Sequence, residues 1–176
     1  MTTLTFTSKK LCDTTVVGPD RRVWYTTETT RGLRGRKVTA IRAASGATGK
    51  IDWREKTFAI NGEQRTLKQL RTGGFLGQWR GVKWRWAATS YSAKFKHFQK
   101  EIWVTPDGMG SGTARFTAYE PHLFGKNDNA TILFPLDMQN ELERVFVLMI
   151  MLQTEMHKQD TRKSAEAADL AVSATS

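Results

Sequence analysis

The chain has 176 residues, of which 39% are apolar, and carries a formal net charge of +10. That length fits one domain, the apolar share is enough for a core, and an intrinsically disordered chain is excluded by composition. Cys12 is the only cysteine, so an intramolecular disulfide is excluded and a reducing, intracellular site is expected.

The opening residues MTTLTFTSKK contain no apolar signal region, which again points to an intracellular, cytoplasmic chain. A membrane-peripheral or nuclear place stays open. From there to about residue 135 the sequence reads as strands. Alternating or β-branched runs stand at Leu4–Thr7, Val23–Thr29, Lys37–Ala43, Lys50–Glu55 and Thr57–Asn61. More follow at Val82–Thr89, Glu101–Thr105, Thr113–Tyr119 and Ala130–Phe134. Their Thr, Val, Ile, Phe and Trp side chains suit a pleated, half-buried surface. Turn signals separate them, among them Gly18-Pro19-Asp20, Ser45-Gly46, Asn61-Gly62 and Pro106-Asp107-Gly108. Thr66–Arg71, ahead of Gly73-Gly74, has room for one helical turn. Strands spaced about ten residues apart, without helices between them, predict an antiparallel meander closing into a sandwich or barrel.

After Pro135 the pattern changes. Asp137 is the expected N-cap, Glu141 and Glu143 favour the positive end of a helix, and the helix is expected over 137–159. Its centre, Val145 to Leu152, is eight consecutive apolar residues. That is far short of the ~18–20 residues a membrane span needs. A helix apolar all round must be buried on every side. The expected fold is therefore mainly β: an antiparallel barrel of about ten to twelve strands wrapped around this helix. A dimer, with a second copy covering the far side of the helix, is the alternative. Residues 1–159 would form the domain, and the small, polar segment 160–176 a frayed or disordered tail.

Charge is unevenly spread. Residues 31–100 hold 17 Lys and Arg against 3 Asp and Glu. Such a field attracts phosphates, whether of nucleic acid or of anionic lipid, although a merely solvated basic surface has the same composition. In RGLRGRK, Arg31 to Lys37, glycines let backbone N–H groups turn toward an anion amid four cations. In FLGQWRGVKWRW, Phe75 to Trp86, aromatics and cations interleave, as in single-strand nucleic-acid grooves. Catalytic chemistry has no comparable signal. His97, His122 and His157 lie in different segments, away from metal-ligand spacing with Cys12. SGATGK, Ser45–Lys50, echoes a phosphate loop but has Ala44 where a Walker loop needs Gly and Ile51 where it needs Ser or Thr. It reads as a hairpin turn. No enzyme activity, cofactor or metal site is predicted.

Taken in order, LTFTSKKLCDTTVVGPDRRVWYTTET, GKIDWRE, GVKWRW, ARFTAY and NELERVFVLMIMLQTEMHK resemble the tubby C-terminal-like fold, shared by phospholipid scramblases and a set of plant proteins. More closely, the chain resembles an uncharacterised fungal domain family grouped with that fold. The resemblance runs over about residues 3–159 and lies in the order of motifs. It implies a barrel around a central helix and, for tubby-type domains, phosphoinositide headgroups held by a Lys and an Arg one residue apart on a strand. Lys83 and Arg85 have that form, with Trp84 and Trp86 beside them. Alternation puts both cations on one face and both tryptophans on the other.

These readings converge on a non-enzymatic binding module whose basic outer face meets anionic lipid headgroups through Arg31, Arg34, Arg36, Lys37, Lys83 and Arg85. Single-stranded nucleic acid on the same face is the alternative partner. A protein-interaction role as a homo-oligomer is the third reading. A monomer is the first expectation, with a dimer left open.

Overall fold

The computed structural model of the chain describes residues 1–33, 35–72, 81–96, 100–108, 112–120 and 128–173, the last five of these by backbone alone. Among the described residues, thirteen strands and two helices form in chain order. The first seven strands are β1 (Thr2–Phe6), β2 (Thr14–Val17), β3 (Val23–Gly32), β4 (Gly35–Ala43), β5 (Thr48–Asp52), β6 (Thr57–Ile60) and β7 (Glu63–Thr66). Helix α1 (Leu67–Leu70) is a single turn. Strands β8 (Arg71–Thr72), β9 (Val82–Arg85), β10 (Ser90–Lys96), β11 (Glu101–Pro106), β12 (Ala114–Thr117) and β13 (Thr131–Phe134) follow, then helix α2 (Glu141–Ser173).

All thirteen strands belong to one antiparallel sheet, ordered β7-β6-β5-β4-β3-β2-β1-β13-β12-β11-β10-β9-β8. The chain steps outward from β1 to β7, crosses to the opposite edge through α1, and steps back inward to β13, which pairs with β1. No ladder joins β7 to β8 among the described residues. Yet α1 alone connects them, and one helical turn of this length separates their ends by only about 7 Å. Thr66 caps that turn: its hydroxyl accepts from Gln69 N at 3.2 Å while Thr66 N donates to Gln69 Oε1 at 2.8 Å. This reciprocal box satisfies two backbone donors that a short helix otherwise leaves unpaired.

Side chains bridge the same two edges. Phe58 of β6 stacks on Trp84 of β9, with ring centroids 5.6 Å apart and planes 5° from parallel. Arg65 of β7 lies 4.9 Å from the Trp86 ring centroid and donates to the Trp86 carbonyl.

Period-two alternation sorts the strands as the sequence predicts. Leu4 and Phe6, Ile102 and Val104, Ala114 and Phe116, and Ile132 and Phe134 are buried, while the residues between them, Thr5, Trp103, Arg115 and Leu133, are half-buried on the other face. On α2, Val145 to Leu152 are each at most 1% exposed. Phe146 meets Phe58, Trp86 and Tyr91, at centroid distances of 6.4, 5.7 and 6.0 Å. At Gly49 of β5 sheet and helix approach closely: a Cβ there would stand 2.8 Å from Val145 Cγ1 and 3.1 Å from Met149 Sδ. That contact, rather than phosphate chemistry, explains the glycine in SGATGK. Ala44–Ala47 is the hairpin turn expected there, with Gly46 at φ +94°.

Several expectations need correction. Strands β2, β7, β8 and β10 were not predicted; polar β7 is ordered by its pairing with β6, whereas β10 does alternate, with Tyr91, Ala93 and Phe95 between serines and lysines, a signal the sequence reading missed. The strand expected over Lys50–Glu55 ends at Asp52, whose carboxylate accepts from Arg54 N and Glu55 N and turns the chain. The helix starts at Glu141 rather than at 137 because Asn140 is the cap, its side chain accepting from Leu142 N at 3.0 Å. Asp137 instead accepts from Gly112 N at 2.9 Å. The same helix passes the expected end at 159 and reaches Ser173. Alanine and glutamate favour helix there, and Arg162 pairs with Glu166 four residues on at 2.7 Å.

Candidate functional site

Where the β3–β4 hairpin, the β5–β6 turn, α1 and α2 meet, a groove of about 1010 Å³ opens. Four of its lining side chains are cationic and one is a histidine. Arg36 starts β4, Arg54 and Lys56 stand in the β5–β6 turn, Arg71 opens β8, and His157 reaches in from α2. Asp52 and Asp160 are the two carboxylates of the lining; Leu33, Trp53 and Leu67 form its apolar part.

Trp53 is fixed by a relay of hydroxyls. Its Nε1 donates to Thr39 Oγ1 at 2.8 Å, Thr39 is 2.7 Å from Thr29 Oγ1, and Thr29 donates to the Cys12 carbonyl at 2.6 Å. Arg36 lies over the Trp53 ring at 5.0 Å and pairs with Asp160 of α2. Its Nε is buried and has no hydrogen-bond partner. The Arg54 guanidinium rests against Gly32, where an added Cβ would stand 2.6 Å from Nη2. Arg71 sits 4.6 Å above the Trp84 ring, and partial burial pulls its pKa down. Among the described residues, Arg54, Lys56 and Arg71 have no carboxylate partner. Asp52 is occupied with the backbone of its own turn. The groove therefore carries an excess of positive charge beside an apolar wall, which suits a phosphate attached to a less polar body.

The sequence-predicted cations are distributed unevenly about this groove. Arg36 lines it. Arg31 and Arg36 come together around a smaller hollow of about 160 Å³, shared with Lys9 and Lys10, where Arg31 is paired with Asp13. Lys37 is exposed on β4. Arg34 lies outside the described residues. Lys83 and Arg85 face outward on β9, with Trp84 buried between them. Neither lines the groove: Lys83 pairs with Asp107 at 3.0 Å, and Arg85 Nε donates to the Ala87 carbonyl at 3.1 Å.

Arg54, Lys56, Arg71 and His157 are residues that sequence reasoning passed over. WREK, an aromatic followed by cations in a tight turn, was the available signal for the first two. Arg71 had none, because its place depends on α1 carrying the chain from one sheet edge to the other. His157 stands on the helix stretch next to the groove, while His97 and His122 lie outside the described residues.

Several cations outside the groove lie over aromatic rings. All five described tryptophans have a cation near a ring face: Arg144 at Trp24 (5.6 Å), Arg36 at Trp53, Arg71 at Trp84, Arg65 at Trp86, and both Lys96 (5.1 Å) and Arg115 (4.4 Å) at Trp103. Trp79 lies outside the described residues. Cys12 is buried, and burial pushes its thiol up to about 11.

No family model, curated protein or solved structure matches the chain.

Proposed function

We propose that this chain is a non-enzymatic, phosphate-binding module of tubby-like architecture, its target the headgroup of an anionic lipid, phosphoinositides foremost. The observation that carries this reading is the groove in which Arg54, Lys56 and Arg71 stand, among the described residues, without carboxylate partners, beside an apolar wall that includes Trp53. The architecture is inferred from three facts taken together. Val145 to Leu152 are buried within one chain, α1 ties the two sheet edges, and Phe58, Arg65, Trp84 and Trp86 span the gap between them. A sheet curled in this way around its own helix has its interior filled and needs no second copy to cover the helix. Recognition then belongs to the exterior, where the groove is.

The groove relocates the site from the sequence-predicted Lys83–Arg85 pair toward the β3–β4 and β5–β6 turns. It also weighs against single-stranded nucleic acid: base stacking needs free aromatic faces, and each described indole already has a cation over it.

The test is calorimetric titration with a soluble inositol polyphosphate, with inorganic phosphate, and with phosphatidylcholine vesicles with and without phosphatidylinositol bisphosphate. Binding should fall with salt. Loss of one charge-assisted contact, as in Arg54→Ala or Arg71→Ala, should weaken it about ten- to a hundredfold. Lys83→Ala should change it little. Wild-type protein that ignores every phosphate compound at low salt, or a Lys83→Ala loss equal to that of Arg54→Ala, would overturn the assignment.

A further inference from the structure

The hairpin joining β3 and β4 ends in Leu33, the most exposed large apolar residue described, at 107% of its reference area. Turn chemistry does not ask for it. Two-residue hairpin loops favour Asn, Asp and Gly, which tolerate the required backbone angles. A lone exposed leucine is ordinary on a protein surface, but the position of this one is not. Leu33 lines the rim of the cationic groove, and Arg31, Arg36 and Lys37 flank it on the two arms of the hairpin. Arg54 of the neighbouring turn packs against Gly32, directly before it. An apolar tip projecting beyond a collar of cations, next to an anion groove, matches the layering of an anionic bilayer. There the apolar phase lies just beneath a sheet of phosphates.

We propose that the β3–β4 hairpin is a membrane-docking finger: Leu33 enters the acyl boundary of an anionic bilayer while Arg31, Arg36, Lys37 and the groove engage the phosphates above it. This rests on the phosphate-groove reading and adds the orientation of the protein on the membrane. Insertion buries Leu33 at little cost to the fold, because the side chain has no partners to lose. A free cation near the surface multiplies binding about fivefold, and Arg31 and Arg36 first exchange their pairs with Asp13 and Asp160 for lipid phosphate. The leucine contributes through burial of its own apolar area.

The experiment places a reporter at the tip. Cys12 is 5% exposed, so Leu33→Cys offers the accessible thiol for an environment-sensitive fluorophore. Vesicles of phosphatidylcholine and phosphatidylinositol bisphosphate should shift its emission to the blue and brighten it, whereas a soluble inositol polyphosphate should not. In parallel, Leu33→Ser should bind those vesicles about tenfold more weakly, with an unchanged melting curve. Unshifted emission on vesicle-bound protein, wild-type vesicle affinity in Leu33→Ser, or no vesicle binding by the wild type would each overturn the docking finger. The groove reading is judged separately, by whether soluble polyphosphate binding survives in the wild type and is lost in Arg54→Ala.

Discussion

Phe146→Ala tests whether the sheet encloses α2. Phe146 is 1% exposed, and its ring meets Phe58 from one half of the sheet and Trp86 and Tyr91 from the other. Truncating a buried phenylalanine to alanine costs about 3–5 kcal/mol in lost transfer energy and cavity. Three ring neighbours, each contributing roughly 0.5–1.5 kcal/mol beyond area, place this site toward the upper end of that range. Set against a typical total of about 5–15 kcal/mol, the variant should fold with a clearly lowered midpoint. Leu142→Ala, at a residue 40% exposed one turn earlier on the same helix, is the control and should cost about 1 kcal/mol or less. Urea unfolding followed by tryptophan fluorescence and far-ultraviolet circular dichroism gives both values, with the slope expected to stay constant. Equal losses in the two variants, or a loss below about 1 kcal/mol for Phe146→Ala, would refute the enclosed helix and the architecture inferred from it.

Two further outcomes follow from the groove and its surroundings. Asp160→Asn should free Arg36 from its ion pair and tighten inositol polyphosphate binding about three- to tenfold in calorimetry, while the half-exposed pair contributes less than about 1 kcal/mol to stability; unchanged affinity would exclude Arg36 from the site. Burial raises the Cys12 thiol from near 9 to about 11, so the stability it contributes is complete below pH 9 and lost as pH climbs toward 11. Wild type should therefore lose up to roughly 3 kcal/mol more than Cys12→Ala across that window in pH-dependent urea melts; parallel curves would contradict this. Tyr25 and Tyr91 are also raised by burial, but both proteins share them and the difference cancels their effect.

The sequence made the β-rich class and the apolar helix visible because both have strong periodicity. Inward-facing Leu4, Phe6, Ile102 and Val104 declare a strand by alternation, and eight apolar residues in a row declare burial. Strand β7, Glu63–Thr66, declares nothing, since its four polar residues are ordered only by pairing with β6. The groove was less legible than the fold. It is assembled from Arg36, Arg54, Arg71 and His157, which are distant in sequence; Arg71 joins the others because α1 carries the chain to the other edge of the sheet. Lys83 and Arg85 were read as sharing one outward face; that Lys83 pairs with Asp107 and Arg85 Nε donates to the Ala87 carbonyl was not visible in the sequence.

The cations stationed over Trp24, Trp53, Trp84, Trp86 and Trp103 bear on any attempt to re-engineer this chain. Trading its arginines for glutamines to bring the isoelectric point toward neutrality would do more than quiet long-range attraction. It would strip the lids from the indoles, so colloidal solubility would drop twice, once through weaker mutual repulsion and once through newly bared aromatic surface.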